Sequence, residues 1–187
     1  ALLDNEHGSA TWQSFAQVVQ AWSLAGGGQI EEALDLLRQA MVDLQVAGMA
    51  VFWPWVLGVY ADLCRRAGRD DEALVHLQGA IEGARRSGER VWEPELLRKL
   101  GELRASLPEQ ADAGPEGTAE RCFIAAIDRA REHGSRVFEL RAALALGALA
   151  VRSSAAEAAL VGARERLAGK LDDPSLANLI DRGHMFV

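Results

Sequence analysis

Hydrophobic and polar positions recur along this chain with a long period. Gly8, Gly48, Gly88 and Gly134 are each followed four residues later by a large aromatic, Trp12, Phe52, Trp92 and Phe138, at steps of 40, 40 and 46 residues. Thirteen residues after each glycine stands a small residue, Ala21, Ala61, Gly101 and Gly147, where a neighbour could approach a helix backbone closely. The second half of each period repeats Ala-x-x-x-Leu/Phe-x-x-Ala: Ala33, Leu37, Ala40; Ala73, Leu77, Ala80; Ala119, Phe123, Ala126; Ala156, Leu160, Ala163. Offsets of four and three put all three positions on one helical face. Gly28 and Gly68 fall between the halves and can take the positive φ that ends a helix. Each period therefore predicts helix, tight turn, helix, and no period-2 alternation competes. The expectation is an all-α chain of about eight helices in four antiparallel pairs, with units near 8–47, 48–87, 88–133 and 134–170 in a single domain spanning 1–187.

A lone hairpin cannot bury its apolar stripe, so the units are expected to stack into an α-solenoid with a continuous core. On these residues the chain resembles a tetratricopeptide-repeat (TPR) array: Ala21, Ala61, Gly101 and Gly147 are similar to the family's small position in the first helix. Ala33, Ala73 and Ala119, with Leu37, Leu77 and Phe123, are similar to its small and large positions in the second. The resemblance implies a right-handed superhelix, although a period of about 40 exceeds the usual ~34. That longer period resembles the C-terminal repeat arrays of multidomain bacterial adenylate or guanylate cyclases and signal-transduction ATPase regulators. The resemblance is carried by the runs at 68–74, 87–96, 119–123 and 138–143, and Asp172, Asp173, Pro174, Ser175 and Leu176 resemble the start of that family's closing helix, expected over 173–183. Pro108, Gly114 and Pro115 mark a loop inside the third unit. The first unit begins at Gly8 with a helix's last turns in front of it, which predicts a fragment of a longer protein.

The chain has 187 residues, 20 Lys+Arg and 27 Asp+Glu, for a formal charge of −7. That acidic balance, and the lack of any basic stripe, disfavours a nucleic-acid partner. Residues 44–61 are uncharged and long enough to raise the question of a membrane span, but Gly48 and Pro54 interrupt them, and no membrane partner is expected. Residues 1–8 hold Asp4 and Glu6 and lack the basic-then-apolar order of a secretory signal, so a cytoplasmic location is expected.

Candidate chemistry is sparse. His7, His76, His133 and His184 are scattered without ligand spacing, and His7 and His133 read as residues near helix ends. Cys64 and Cys122 fall at register positions near the core, where cysteine acts as a small hydrophobe. Gly26, Gly27 and Gly28 lack the Gly-Lys-Ser/Thr ending of a phosphate loop and read as a turn. Glu31 and Glu32, like Asp70 and Asp71, open second helices, where negative charge offsets the helix dipole. No catalytic set, metal site or cofactor is expected, and the chain is not expected to be an enzyme.

Binding is the function the register supports. In TPR arrays the first helices line the concave groove, so the resemblance implies as groove candidates Phe15, Trp55, Glu95 and Arg141 in one column and Trp22, Asp62 and Glu102 in another, with Arg98, Arg65 and Arg66 alongside. Aromatics and arginine are the side chains most enriched at interface hot spots. The alternative for the same residues is helix packing by Trp22 and Trp55 and ion pairing of the arginines with Asp62, Glu95 and Glu102. The leading expectation is a non-enzymatic interaction or regulatory module of a bacterial signalling protein, taking a protein or peptide, another domain of its parent chain, or a second copy. The competing expectation is a small-molecule effector sensor with a pocket near Trp22, Trp55 and Arg98.

Overall fold

The computed structural model of the protein describes residues 2–48, 52–107 and 117–167. Among them are eight α-helices, one 3-10 turn at Arg90–Trp92 and no strand. The helices are α1 Leu2–Gly26, α2 Ile30–Val46, α3 Trp53–Arg66, α4 Asp70–Ser87, α5 Glu93–Ser106, α6 Ala119–Glu132, α7 Arg136–Gly147 and α8 Ser154–Leu167. The all-α expectation therefore holds. The expected terminal helix over 173–183 and most of the loop with Pro108, Gly114 and Pro115 lie outside the described residues. No helix among the described residues is long and apolar enough to cross a membrane.

The chain divides into two compact units, Ala1–Ala80 and Ile81–Val187, with the boundary inside α4. In the first unit α1 packs on α2, and α3 contacts both. The α1–α2 turn closes by backbone bonds from Gly28 to Ala25 O at 3.0 Å and from Gln29 to Leu24 O at 3.1 Å. Gly28 stands at φ +86°, which a side chain would oppose. The same five-residue-back closure recurs as Arg69 N to Cys64 O and as Ser135 N to Ala130 O, each at 2.8 Å. Glu31 and Glu32 then occupy the first turn of α2, and Asp70, Asp71 and Glu72 that of α4. Helix α2 buries Ala33, Leu34, Leu37, Ala40 and Leu44, and α1 presents Ser14, Val18, Ala21 and Ala25 to the core.

In the second unit α5 packs on α6, α6 on α7 and α7 on α8, while α5 also meets α7 and α6 meets α8. Leu96, Leu97, Leu100 and Leu103 of α5 form the core with Cys122, Phe123, Ala126 and Ile127 of α6. Gly101 is essential to that crossing, because a Cβ there would lie 2.5 Å from the Phe123 ring. Thr118 caps α6, its Oγ1 accepting from Arg121 N at 3.3 Å, and Ser153 caps α8, its Oγ accepting from Ala156 N at 3.2 Å.

Two expectations of the register need correction. Gly8 makes no turn: α1 runs through it without a break from Leu2 to Gly26. An isolated glycine inside a helix costs about 1 kcal/mol without ending it, whereas Gly48, Gly88 and Gly134 each close a turn at positive φ. Gly147 is also no counterpart of Gly101, since a Cβ on it would meet only Leu160 Cδ2, at 3.9 Å.

Candidate functional site

The first unit carries an aromatic face. Trp12, Phe15, Val19 and Trp22 follow one another on α1 at intervals of three, four and three, which lines them along one stripe of the helix. That stripe stands beside, and distinct from, the core-facing Ser14, Val18, Ala21 and Ala25. Trp12 is 75% exposed and Val19 58%, while Phe15 and Trp22 are half-buried. Trp12 lies 6.2 Å from Phe15, and Phe15 meets Phe52 edge-on at 5.9 Å and 88°. Phe52 precedes α3 with φ 64° and ψ 4°, a left-handed conformation costing a bulky residue on the order of 1–2 kcal/mol. Phe52 is nonetheless 45% exposed, so this strain places an aromatic ring at the surface.

The face is also free of charge. Residues 8–30 contain no Asp, Glu, Lys or Arg, and neither do residues 44–61; the Phe15–Phe52 contact joins the two stretches. Exposed neighbours of the stripe on α1 are Gln13, Ala16, Gln20 and Ser23. A solvent-facing helix normally carries mixed charges, whereas aromatic enrichment with charge depletion marks the centre of protein interfaces.

The first unit also holds a polar knot that joins α2, α3 and α4. Tyr60 donates to Glu72 Oε1 at 2.6 Å and accepts from Arg38 Nε at 2.9 Å, and His76 stands edge-on to its ring at 4.7 Å. Burial and the Glu72 hydrogen bond push the Tyr60 hydroxyl up to about 12, with the Arg38 bond opposing. The Tyr60 hydrogen bond holds Glu72 below the usual carboxylate range. Burial, aided by Glu72, pushes the Cys64 thiol up to about 11, which keeps it protonated in the core.

The second unit carries two carboxylate clamps of one design. Glu93, in the first turn of α5, is 1% exposed and accepts from Arg85 of α4 at 2.6 Å, with Arg129 of α6 at 3.8 Å. Glu139, in the first turn of α7, is 4% exposed and accepts from Arg131 of α6 at 2.9 Å and from Arg166 of α8 at 2.7 Å. Both glutamates follow a turn glycine by five residues, Gly88 and Gly134, and both preceding arginines stand three before it. Arg129 and Arg166 each lie three residues beyond a buried alanine, Ala126 and Ala163. Each clamp thus ties the start of one helix to the helices before and after it.

The structure brings four sequence-derived candidates together in the second unit. Glu95 takes Arg98 in a two-pronged bond at 2.8 and 2.9 Å and Arg141 at 3.0 Å, and Arg98 also bonds Glu102. Glu95 and Arg98 are buried, so they hold α5 to α7. Among the remaining candidates, Phe15 joins the aromatic face and Trp22 and Trp55 are half-buried. Asp62 pairs with Arg65 at 3.6 Å, and Arg66 donates to Ala25 O, tying α3 to the end of α1. Trp22 and Trp55 belong to the first unit and Arg98 to the second. The register marks Trp12 and Phe52 as repeating aromatics without assigning them to a binding face, and it gives no role to Val19 or to the clamp residues. The clamps left a signal, an arginine three before and a glutamate five after a turn glycine, but only two periods carry it. His133 caps the end of α6, while the side chain of His7 lies outside the described residues. No group of three or more His, Cys, Asp or Glu among the described residues could hold a metal ion.

Among its described residues the chain is all-helical, and its first unit carries an uncharged aromatic face. Residues 4–104, just over half its length, match the family model described as type VI secretion, EvfE, EvfF, ImpA, BimE and VasJ, and the chain belongs to that family. No curated protein matches it. The family match overturns the reading as a TPR array and as the repeat part of a cyclase or signal-transduction regulator. The small–large–small register that carried that resemblance is required wherever helical hairpins pack closely, so it reports packing and does not identify a family.

Proposed function

We propose that this chain is a non-enzymatic, protein-binding component of a type VI secretion apparatus, and that it engages its partner through the aromatic face of the first unit. One observation carries the reading: a 75%-exposed tryptophan and a strained, half-exposed phenylalanine stand on an uncharged surface. Burying such rings against a partner contributes strongly to affinity, whereas leaving them in water contributes nothing to the fold. The family supports the secretion context, and the inward engagement of Glu95, Arg98 and Arg141 supports a scaffolding role for the second unit. We also propose that within each unit consecutive hairpins lie side by side. The α1–α3, α5–α7 and α6–α8 contacts, which link alternate helices, are what such stacking requires.

The test is photo-cross-linking in cells from a probe residue at position 12 or 19, with exposed Val75 as the comparison position. Capture of a type VI secretion protein from positions 12 and 19 but not 75 is the expected result. Equal capture from all three, or none from any, overturns the reading.

A further inference from the structure

Resting on the interaction reading above, we infer that the aromatic face receives an amphipathic helix whose apolar stripe is flanked by Lys and Arg. Three observations specify that occupant. The 3-4-3 spacing of Trp12, Phe15, Val19 and Trp22 along α1 is the spacing by which one helix packs along another, with side chains of each entering gaps of the other. Second, residues 8–30 and 44–61 offer no charge, so any charged side chain pressed onto the face would lose its water without a counter-charge. The contacting stripe of the occupant is therefore apolar.

Third, the first unit is strongly acidic. Up to Ala80 the chain holds ten acidic residues, Asp4, Glu6, Glu31, Glu32, Asp35, Asp43, Asp62, Asp70, Asp71 and Glu72, against Arg38, Arg65, Arg66 and Arg69. That is a net −6 out of the −7 of the whole chain. Such a field draws in basic flanks. A helix with apolar anchors at i, i+3, i+4 and i+7 and basic residues on either side satisfies all three conditions.

The experiment uses the full chain and three synthetic peptides of about 20 residues, long enough to form a helix. One has Leu at heptad positions a and d with Lys flanking them, the second has Glu in place of Lys, and the third has the composition of the first with its heptad spacing scrambled. Tryptophan fluorescence is read during titration. The expected result is saturable binding of the Lys-flanked peptide, weakening at least about 30-fold in Trp12→Ala, with unchanged melting of that variant. Val19→Ser serves as the second variant. Equal affinity for the Glu-flanked or the scrambled peptide overturns the inference, as does absence of binding. It also falls if phosphatidylcholine vesicles bind the face in place of the peptide, or if sedimentation shows a dimer that Val19→Ser dissolves. If the peptides fail while cross-linking from position 12 still captures a secretion protein, the helical occupant is wrong and the interaction reading stands.

Discussion

Tyr60 shows what a single residue's surroundings do. It is the chain's one tyrosine, so tyrosinate absorbance reports it alone. The midpoint is expected near 12, against an ordinary 10.0. Because the folded value is raised, Tyr60 contributes stability that is complete below its ordinary value and is lost as pH rises through about 12. Glu72→Gln replaces a carboxylate acceptor, which favours the neutral hydroxyl, with an uncharged amide and should lower the midpoint; Arg38→Gln removes the cation that favours the ionised form and should raise it. A spectrophotometric titration showing both variants moving the same way would contradict the knot. Glu72 runs in the opposite sense: its depressed value gives stability that is lost as pH falls through it. Phe52 offers a second check. Phe52→Gly relieves a left-handed strain of about 1–2 kcal/mol against an entropic cost of roughly 0.5–1 kcal/mol and the loss of the Phe15 ring contact, worth about 0.5–1.5 kcal/mol, so its melting temperature should stay close to that of the parent. Binding at the aromatic face should nevertheless fall, which separates the ring's role in recognition from any role in folding.

Between elements, two kinds of joint hold the second unit. The steric joint is the Gly101–Phe123 crossing, where a Cβ would sit 2.5 Å from the ring. Gly101→Ala should overpack it and cost about 1–3 kcal/mol in urea unfolding, while Gly147→Ala, with 3.9 Å of room, should be neutral or stabilise by up to about 1 kcal/mol. The electrostatic joint is the clamp. Glu139→Ala leaves Arg131 and Arg166 facing each other between α6 and α8, and because both arginines reach water the cost should be about 1–3 kcal/mol, below that of a fully buried pair. Asp35→Ala, which removes an exposed pair with Arg38, should change stability by less than about 0.5 kcal/mol in the same assay. Comparable losses at Glu139 and Asp35 would show that the clamp does not join the helices.

At the scale of the molecule, charge is divided unevenly, with −6 on the residues up to Ala80 and −1 on the rest. Association with a basic-flanked helix should therefore slow as ionic strength rises, since the Debye length falls to about 8 Å at physiological salt. Trp12→Ala should act instead on dissociation, because truncating an anchor at the centre of an interface shortens the lifetime of the complex. Stopped-flow rates at two salt concentrations distinguish the two effects, and a salt-sensitive dissociation with a salt-insensitive association would reverse the assignment.

The sequence by itself determined the helices, most of their turns and the residues that face inward. Those properties follow from local chemistry: the 3.6-residue period, positive φ at Gly28 and Gly68, and acidic first turns at Glu31 and Asp70. It also placed Glu95, Arg98, Glu102 and Arg141 in adjacent register columns, where the structure joins them. It could not determine that Gly8 lies within a continuous helix, because a glycine's conformation depends on what packs around it. Nor could it divide inward from outward aromatics, since Trp12 and Trp22 share one stripe and only the packing of α1 on its neighbours exposes the first more than the second. The clamps left only a two-period spacing in the sequence, and the tertiary structure decided them: a buried glutamate is tolerable only when arginines from two other helices arrive beside it, and that arrival is a property of the folded chain.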